Sequence, residues 1–381
     1  MKARIYALDN LRTLMIFLVV VVHAGIVYEN VLLESWLVID PVKNDSIGLI
    51  RMYLDLIIMF TLFFISGYFM PMSSKGKSFW PFFVAKFKRL MIPWFIAVFT
   101  LIPAYKWIFL YSRDLPQEVW YSYFHFFERT GGNPYFFADN PVQNWLWFLP
   151  VLFLFQIIYW LMLRAGVFSM SISLRTGVIL TIVIGVVYGM VISQVELMGW
   201  HHSFFLHFQR ERFLIYFMVF LLGTLCYRDQ IFDSGKWSMK WYIISNVVLT
   251  IGLGLYTVVA LNLFFNMIDP ARDYYFLSPT LDRTAYYTFM MLSMFSFLHV
   301  LLYSFRRYFN KSGRTMTILN QNSYYVYIIH MIVLGFFAYF FIDLQIPVMM
   351  KFLILAILTF TVSNVIVYAI RTVYHVVKNK K

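Results

Sequence analysis

The 381-residue chain is 61% hydrophobic and 21% aromatic with 13% charged residues, against about a quarter charged in an average soluble domain, which excludes a soluble globular protein. Its net charge of +13 would suit nucleic acid taken alone, but basic residues must be assigned to a side of the membrane before they bear on partners. A single cysteine, Cys226, excludes an intramolecular disulfide and a cysteine-ligated metal site.

Apolar stretches long enough to cross a hydrocarbon core of about 30 Å, roughly 20 residues each, fall at 11–33, 49–70, 90–111, 145–163, 176–194, 212–227, 241–264, 284–304, 324–342 and 350–370. They predict an all-α, polytopic membrane helical bundle of about ten transmembrane helices, forming a single domain over 1–381. The stretch 212–227 opens in the charged run QRERF and is short, so nine spans is the alternative count. The first 30 residues lack a small-residue cleavage site and stay apolar past signal length, so they read as a retained span.

Ten spans with both termini cytoplasmic place 21 of the 31 Lys and Arg residues on the inner side, together with Asp9, Asp229 and Asp233 of the 18 acidic ones. This excess fixes the orientation and accounts for the positive charge as topology and attraction to anionic headgroups of the lipid bilayer, so no nucleic-acid partner is expected. The outer loop 112–144 contains ERTGGNPYFFADNP, which reads as an aromatic interfacial segment or as a cover over an outer site.

The first span, LRTLMIFLVVVVHAG at 11–25, carries two ionisable side chains, Arg12 and His23. Eleven residues of α-helix come within about 20° of three full turns and rise roughly 16 Å, so both share one face. Arg12 at the inner boundary reads alone as a snorkelling arginine, whereas a histidine about halfway across the hydrocarbon is expected to face the bundle interior or a wet cavity. Together they predict a common crevice for a long, thin substrate with an anionic head at Arg12 and a reactive end at His23. Coenzyme A carrying a thioester has that form.

An Arg, ten residues and a His on the first helix resemble the signature of the membrane acyltransferases called acyltransferase family 3. FFISGYF at 63–69 resembles that family's second-span element around Ser-Gly. KFKRLMIPW at 86–94 resembles its basic pair before the third span, with Lys86 where an Arg is usual, then Arg89 and Pro93. WLWFL at 145–149 and NSYYVYIIH at 322–330 resemble its Trp-Phe-Leu and Ser-Tyr-x-x-Tyr-x-x-His elements. LDNLR, ISGYF and the IP after Arg89 are most similar to the glucan biosynthesis protein C branch, associated with succinylating periplasmic glucans. The resemblance implies a multi-pass protein of the cell inner membrane that moves an acetyl or succinyl group from acyl-CoA to a hydroxyl of a glycan or polysaccharide, with no metal.

Such a transfer needs a base, a pocket for the oxyanion and an orientation of the two reactants. His23 is the candidate base, because an imidazole titrates near neutrality. Ser66 is a competing nucleophile, a pocket donor or a helix-packing residue; no Gly-x-Ser-x-Gly elbow occurs. Arg12, Lys86, Lys88 and Arg89 form the candidate phosphate-binding group, although Lys75, Lys77 and Lys88 also read simply as inner-side markers. Asp9 suits an N-cap or a local ion pair. Trp147, Tyr327 and His330 are pocket candidates implied by the resemblance, Tyr327 and His330 being i,i+3 neighbours. His201, His202 and His207 have spacings that do not match paired metal ligands on a helix. Arg51 and Asp55, at i,i+4, read as an interfacial ion pair, and Arg210, Glu211 and Arg212 as a solvated loop end or a contact for an anionic acceptor. A proton-coupled transporter is the rival from another class, though neither an internal repeat nor paired Gly/Pro-interrupted spans is seen. A membrane scaffold without catalysis would leave the Arg–His alignment unexplained. Carriage of the acyl group through the membrane core, with transport and transfer as one event, combines both.

Overall fold

The structure, a computed structural model, describes residues 4–30, 36–117, 143–167, 172–203, 205–232, 237–269 and 271–379. The ERTGGNPYFFADNP stretch lies outside the described residues. Twelve helices are described: α1 (Tyr6–Ile26), α2 (Asp45–Tyr68), the short α3 (Met70–Ser74), α4 (Phe79–Lys86), α5 (Ile92–Tyr111), α6 (Phe148–Arg164), α7 (Leu174–Gln194), α8 (Arg210–Arg228), α9 (Met239–Ile268), α10 (Pro279–Tyr308), α11 (Arg314–Phe341) and α12 (Val348–Asn379). A π-helical turn (Phe87–Met91) joins α4 to α5, and a 3₁₀ turn (Asn144–Trp147) leads into α6. The one described pair of strands, β1 (Trp200–His202) and β2 (His207–Gln209), forms an antiparallel hairpin between α7 and α8.

Local chemistry sets several starts. Asn44 accepts from the amide of Ser46 at the head of α2, Ser173 from that of Thr176 at α7, and Ser278 from that of Leu281 at α10, where Pro279 fills the first turn. Each cap satisfies an amide that the helix itself leaves without a partner.

Among the described residues, nine helical segments are long and apolar enough to cross a membrane. α8 falls short in composition because its 19 residues include Arg210, Glu211, Arg212 and Arg228. Its position makes the tenth crossing. α8 runs parallel to α2 from the Asp55–Arg212 ion pair at 2.6 Å to a backbone contact further along. There a Cβ added to Gly67 would sit 1.9 Å from the Phe220 carbonyl oxygen, and one on Gly223 would sit 2.3 Å from that of Phe64. Without a hydrophobic force to drive helices together in lipid, such small-residue contacts allow the van der Waals approach that does.

The start of α1 and the last turns of α12 lie at one end of the bundle. Asn10 of α1 donates to the carbonyls of Phe309 and Lys311 in the α10–α11 connection, and Arg371 of α12 bonds Asn322 and Gln321 near the start of α11. Thus α1 and α11 are parallel neighbours, although they are the first and next-to-last long helices.

The first span departs from expectation. The apolar run suggests a helix to residue 33, but α1 stops at Ile26, and His23 falls in its last turn rather than halfway along a longer helix. The described residues that follow fold back over the end of α1. Asp40 and Asn44 donate their amides to the carbonyls of Val27 and Tyr28, and the Lys43 ammonium also donates to Val27, so the carbonyls that a longer helix would use are taken. Non-helical backbone inside a bundle is tolerated where protein buries and pairs it. Leu37 fills the notch at Gly335 on α11, where a Cβ would sit 2.3 Å from its side chain. Arg113 donates to the carbonyl oxygens of Trp36 and Leu37. Asp40 pairs with Lys351 of α12 at 2.7 Å, both side chains being buried.

The expected Arg51–Asp55 pair is not formed either. Arg51 reaches Glu29 at 2.5 Å and Asp55 reaches Arg212. The cause is burial: Glu29 and Arg212 are enclosed, and a buried charge needs a partner more than an exposed neighbouring pair on one helix does.

Candidate functional site

Two rungs join α1 to α11. At the inner rung an Nη of Arg12 donates to the carbonyl of Asn320 at 3.2 Å, Thr13 donates to the Asn320 side chain at 2.6 Å, and that side chain donates to Asn10 at 2.7 Å. Asp9 lies 3.3 Å from Arg12 and 2.6 Å from Arg4, so Asp9 makes local ion pairs as its spacing suggests. The Arg12 side chain stays 32% exposed, which leaves the guanidinium accessible at the inner face, while its Nε is buried with no hydrogen-bond partner among the described residues.

The outer rung is a histidine pair. His330 Nε2 lies 3.1 Å from His23 Nδ1, and His330 Nδ1 lies 2.7 Å from the carbonyl oxygen of Tyr327. A carbonyl only accepts, so His330 Nδ1 carries a proton and donates it. In a neutral His330, Nε2 is then a bare lone pair, and the hydrogen on the shared bond belongs to His23 Nδ1. The remaining nitrogen of a neutral His23, Nε2, therefore carries a lone pair. Besides His330, the backbone carbonyl of Val19, one turn earlier on α1, is a hydrogen-bonding neighbour of the His23 ring.

His23 is half-buried and His330 fully buried. The His23 ring stacks on Trp36, with centroids 5.5 Å apart and planes within 8°. Trp36 comes from the folded-back segment after α1 and is not among the residues that sequence motifs single out. Nothing in its spacing marks it, because only the tertiary contacts of residues 36–44 bring it to the site. Met15, Ile16 and Val19 lie on α1 between Arg12 and His23 and are buried. The helix face between the two ionisable residues is thus packed rather than an open crevice, and a donor reaching from one to the other runs beside these side chains or displaces them.

Arg89 is exposed at the inner side, and its proximity to Arg12 is sufficient for the two cations to repel. Its placement follows from Pro93. Proline has no amide hydrogen, so the carbonyl four residues earlier, that of Arg89, has no helical partner; the Tyr324 hydroxyl donates to it at 2.8 Å. The π turn lies over the same residues, and such turns inside α-helices are frequent at functional sites. Asn320 and Tyr324 stand one turn apart on α11, so one side of that helix holds both Arg12 and the backbone of Arg89. Lys86 turns elsewhere, donating to Ser73 Oγ at 2.9 Å.

Ser66 is half-buried on α2, and no hydrogen bond joins it to His23 or His330. The Tyr327 hydroxyl donates to the carbonyl of Trp145, whose own indole donates to the carbonyl of Ile328 at 2.9 Å. This clamp ties the 3₁₀ turn to α11 just before His330, and it is the main chain of Tyr327 that orients the histidine. Trp147 packs away from His23, against Phe63, Tyr216 and Trp200.

Outside the bundle, the β hairpin sets His202 opposite His207 with their Nδ1 atoms 3.1 Å apart. Desolvation, reinforced by the neighbouring His201 and Arg210, pushes His202 down to about 4, and desolvation beside His202 pushes His207 well below the ordinary histidine value. Among the described residues no group of three or more His, Cys, Asp or Glu side chains is placed to hold a metal ion.

A family model described as an acyltransferase domain matches residues 5–368, nearly the whole chain. No curated protein and no solved structure matches.

Proposed function

The chain belongs to this acyltransferase family, and on that premise we propose that it moves an acyl group, acetyl or succinyl, from cytosolic acyl-CoA to a hydroxyl of an extracytoplasmic glycan, with His23 as general base. The observation that carries this reading is the bond order Tyr327 carbonyl, His330, His23, which leaves Nε2 of His23 as a proton acceptor of fixed orientation. A base held by a second group in one tautomer is the arrangement general-base catalysis uses.

The reaction balances without a covalent enzyme intermediate. The acceptor oxygen attacks the thioester carbonyl carbon as its proton passes to His23 Nε2. The carbonyl π electrons move to oxygen, and collapse of the tetrahedral intermediate breaks the C–S bond. The leaving thiolate takes the proton from His23 as free coenzyme A departs. The guanidinium of Arg12 and that of Arg89 suit the phosphates of the donor at the inner face, because a guanidinium donates in a fork that matches phosphate oxygens. The donor then enters from one side of the membrane and the acceptor from the other.

Membranes containing the protein, given labelled acetyl-CoA and succinyl-CoA, test this reading, with label followed into surface and periplasmic glycans by mass analysis. The parent protein is expected to label a glycan with one donor. His23→Ala is expected to lose transfer by roughly 10²- to 10⁴-fold while remaining folded, and Arg12→Ala to weaken acyl-CoA binding. Undiminished transfer by His23→Ala would remove the base, and a parent protein that binds neither donor would remove the whole reading.

A further inference from the structure

Trp36 is buried, 8% exposed, and its indole nitrogen is buried with no hydrogen-bond partner among the described residues. A buried donor left unpaired is destabilising and rare, and this one lies in the ring stacked on the candidate base. The segment that carries it is held from three sides. Arg113 bonds the carbonyl of Trp36 at 2.7 Å, Leu37 occupies the Gly335 notch, and Asp40 is paired to Lys351. Folding therefore fixes in place a donor that none of the described residues uses.

Resting on the acyl-transfer reading above, we propose that the Trp36 indole N–H is the hydrogen-bond donor that takes up negative charge on the acyl carbonyl oxygen during transfer. The stack supplies the geometry. The His23 Nε2 lone pair lies in the imidazole plane, so an acceptor hydroxyl bonded to it lies near that plane as well. In this assignment the carbonyl carbon it attacks sits on the indole side of that plane, so that its oxygen falls towards the neighbouring parallel plane of the indole. An N–H lies in its own ring plane and points outward from the ring edge. Base and donor thus address the two charges that develop together, the proton leaving the hydroxyl and the oxyanion forming on the acyl group. A donor fixed before reaction and shielded from water is the form in which such stabilisation is largest.

The test replaces the N–H while keeping the ring stack. Benzothienylalanine introduced at position 36 of the full-length protein has sulfur in place of the nitrogen and the same shape; Trp36→Phe is the genetic companion. Both are assayed in lipid nanodiscs with labelled acetyl-CoA and succinyl-CoA and the glycan fraction that the parent protein labels. The expected result is a fall in kcat of about 100-fold, the effect of removing one oxyanion donor, with KM for acyl-CoA unchanged. A packing role predicts no loss in the benzothienyl protein, so turnover at the parental kcat overturns the assignment.

A measurement on the unaltered protein stands beside it in case the variants fold poorly. The Trp36 indole N–H resonance is expected to move downfield on addition of acetyl-CoA or succinyl-CoA and not with free coenzyme A; a resonance indifferent to the acyl group overturns the assignment. The two failures are distinguishable. A parent protein that transfers no acyl group removes the acyl-transfer reading and the donor role with it, whereas a transferring parent with an equally active benzothienyl variant removes the donor role alone.

Discussion

His23 and His330 stand 307 positions apart in the chain and share one hydrogen bond, whose direction is set by the carbonyl that His330 holds with its other nitrogen. His330 is accordingly a positioning residue. Replacing it by phenylalanine keeps a ring in the pocket and removes the acceptor for His23 Nδ1–H. His330→Phe should lower kcat on the order of 10²-fold and leave KM for acyl-CoA in place. His330→Gln offers an amide oxygen to the same N–H and should recover part of the loss. Equal rates for the two variants would show that the ring only packs.

The α2–α8 contact has no room for a methyl group, since both nearest atoms at Gly67 and Gly223 belong to the partner backbone. Gly67→Ala should destabilise the bundle by about 3 kcal/mol, at the upper end of overpacking costs. It should lower the thermal midpoint of the purified protein, whereas Gly254→Ala, where a Cβ meets nothing within 4 Å, should leave that midpoint in place. Equal midpoints for the two variants would mean that the helices part freely at Gly67.

Asp40 and Lys351 are buried, with side-chain exposures of 1% and 3%, so removing one charge strands the other. Asp40→Asn and Lys351→Met should each destabilise by about 3–5 kcal/mol, while the double variant Asp40→Leu/Lys351→Met should lose less than either. A double variant as unstable as the sum of the singles would show that the two residues act independently.

The hairpin histidines give a pH dependence whose sign follows from their direction of shift. His202 is held at about 4 in the folded hairpin against an ordinary 6.5, so the opened hairpin binds protons that the closed one does not. Closure is fully stable above about pH 6.5 and weakens as pH falls towards 4. Amide exchange at residues 200–209, corrected for intrinsic rate, should show more opening at about pH 5 than at about pH 7.5, and His202→Gln should flatten the difference. Identical protection at both pH values would contradict the shift.

The apolar runs, the Arg12–His23 spacing and the inner-side charge excess are legible in sequence because each is local or additive. α8 is harder to see, since its buried Arg212 is paired with Asp55, which lies far away in the chain. The early end of α1 is not legible at all. Residues 27–33 are apolar apart from Glu29 and Asn30, and the return of Asp40 and Asn44 takes the carbonyls of Val27 and Tyr28 that a longer helix would use. For the same reason Trp36 carries no signal in sequence, whereas His330 is found through its motif although its partner nitrogen is not. The Arg89–Pro93 relation lies between these cases: the missing proline hydrogen bond is readable, and the hydroxyl of Tyr324 that replaces it is not.

The parallel pairing of α1 with α11 has a consequence for synthesis. Asn10, Arg12, Thr13 and His23 enter the membrane with the first helix made, yet their partners at 309–311, 320 and 330 leave the ribosome roughly three hundred residues later. Through that interval the newborn helix holds its polar stripe in the translocon or in lipid without the groups that satisfy it. A chain interrupted before α11 is therefore left with a first helix whose polar groups lack the partners that satisfy them in the full-length protein.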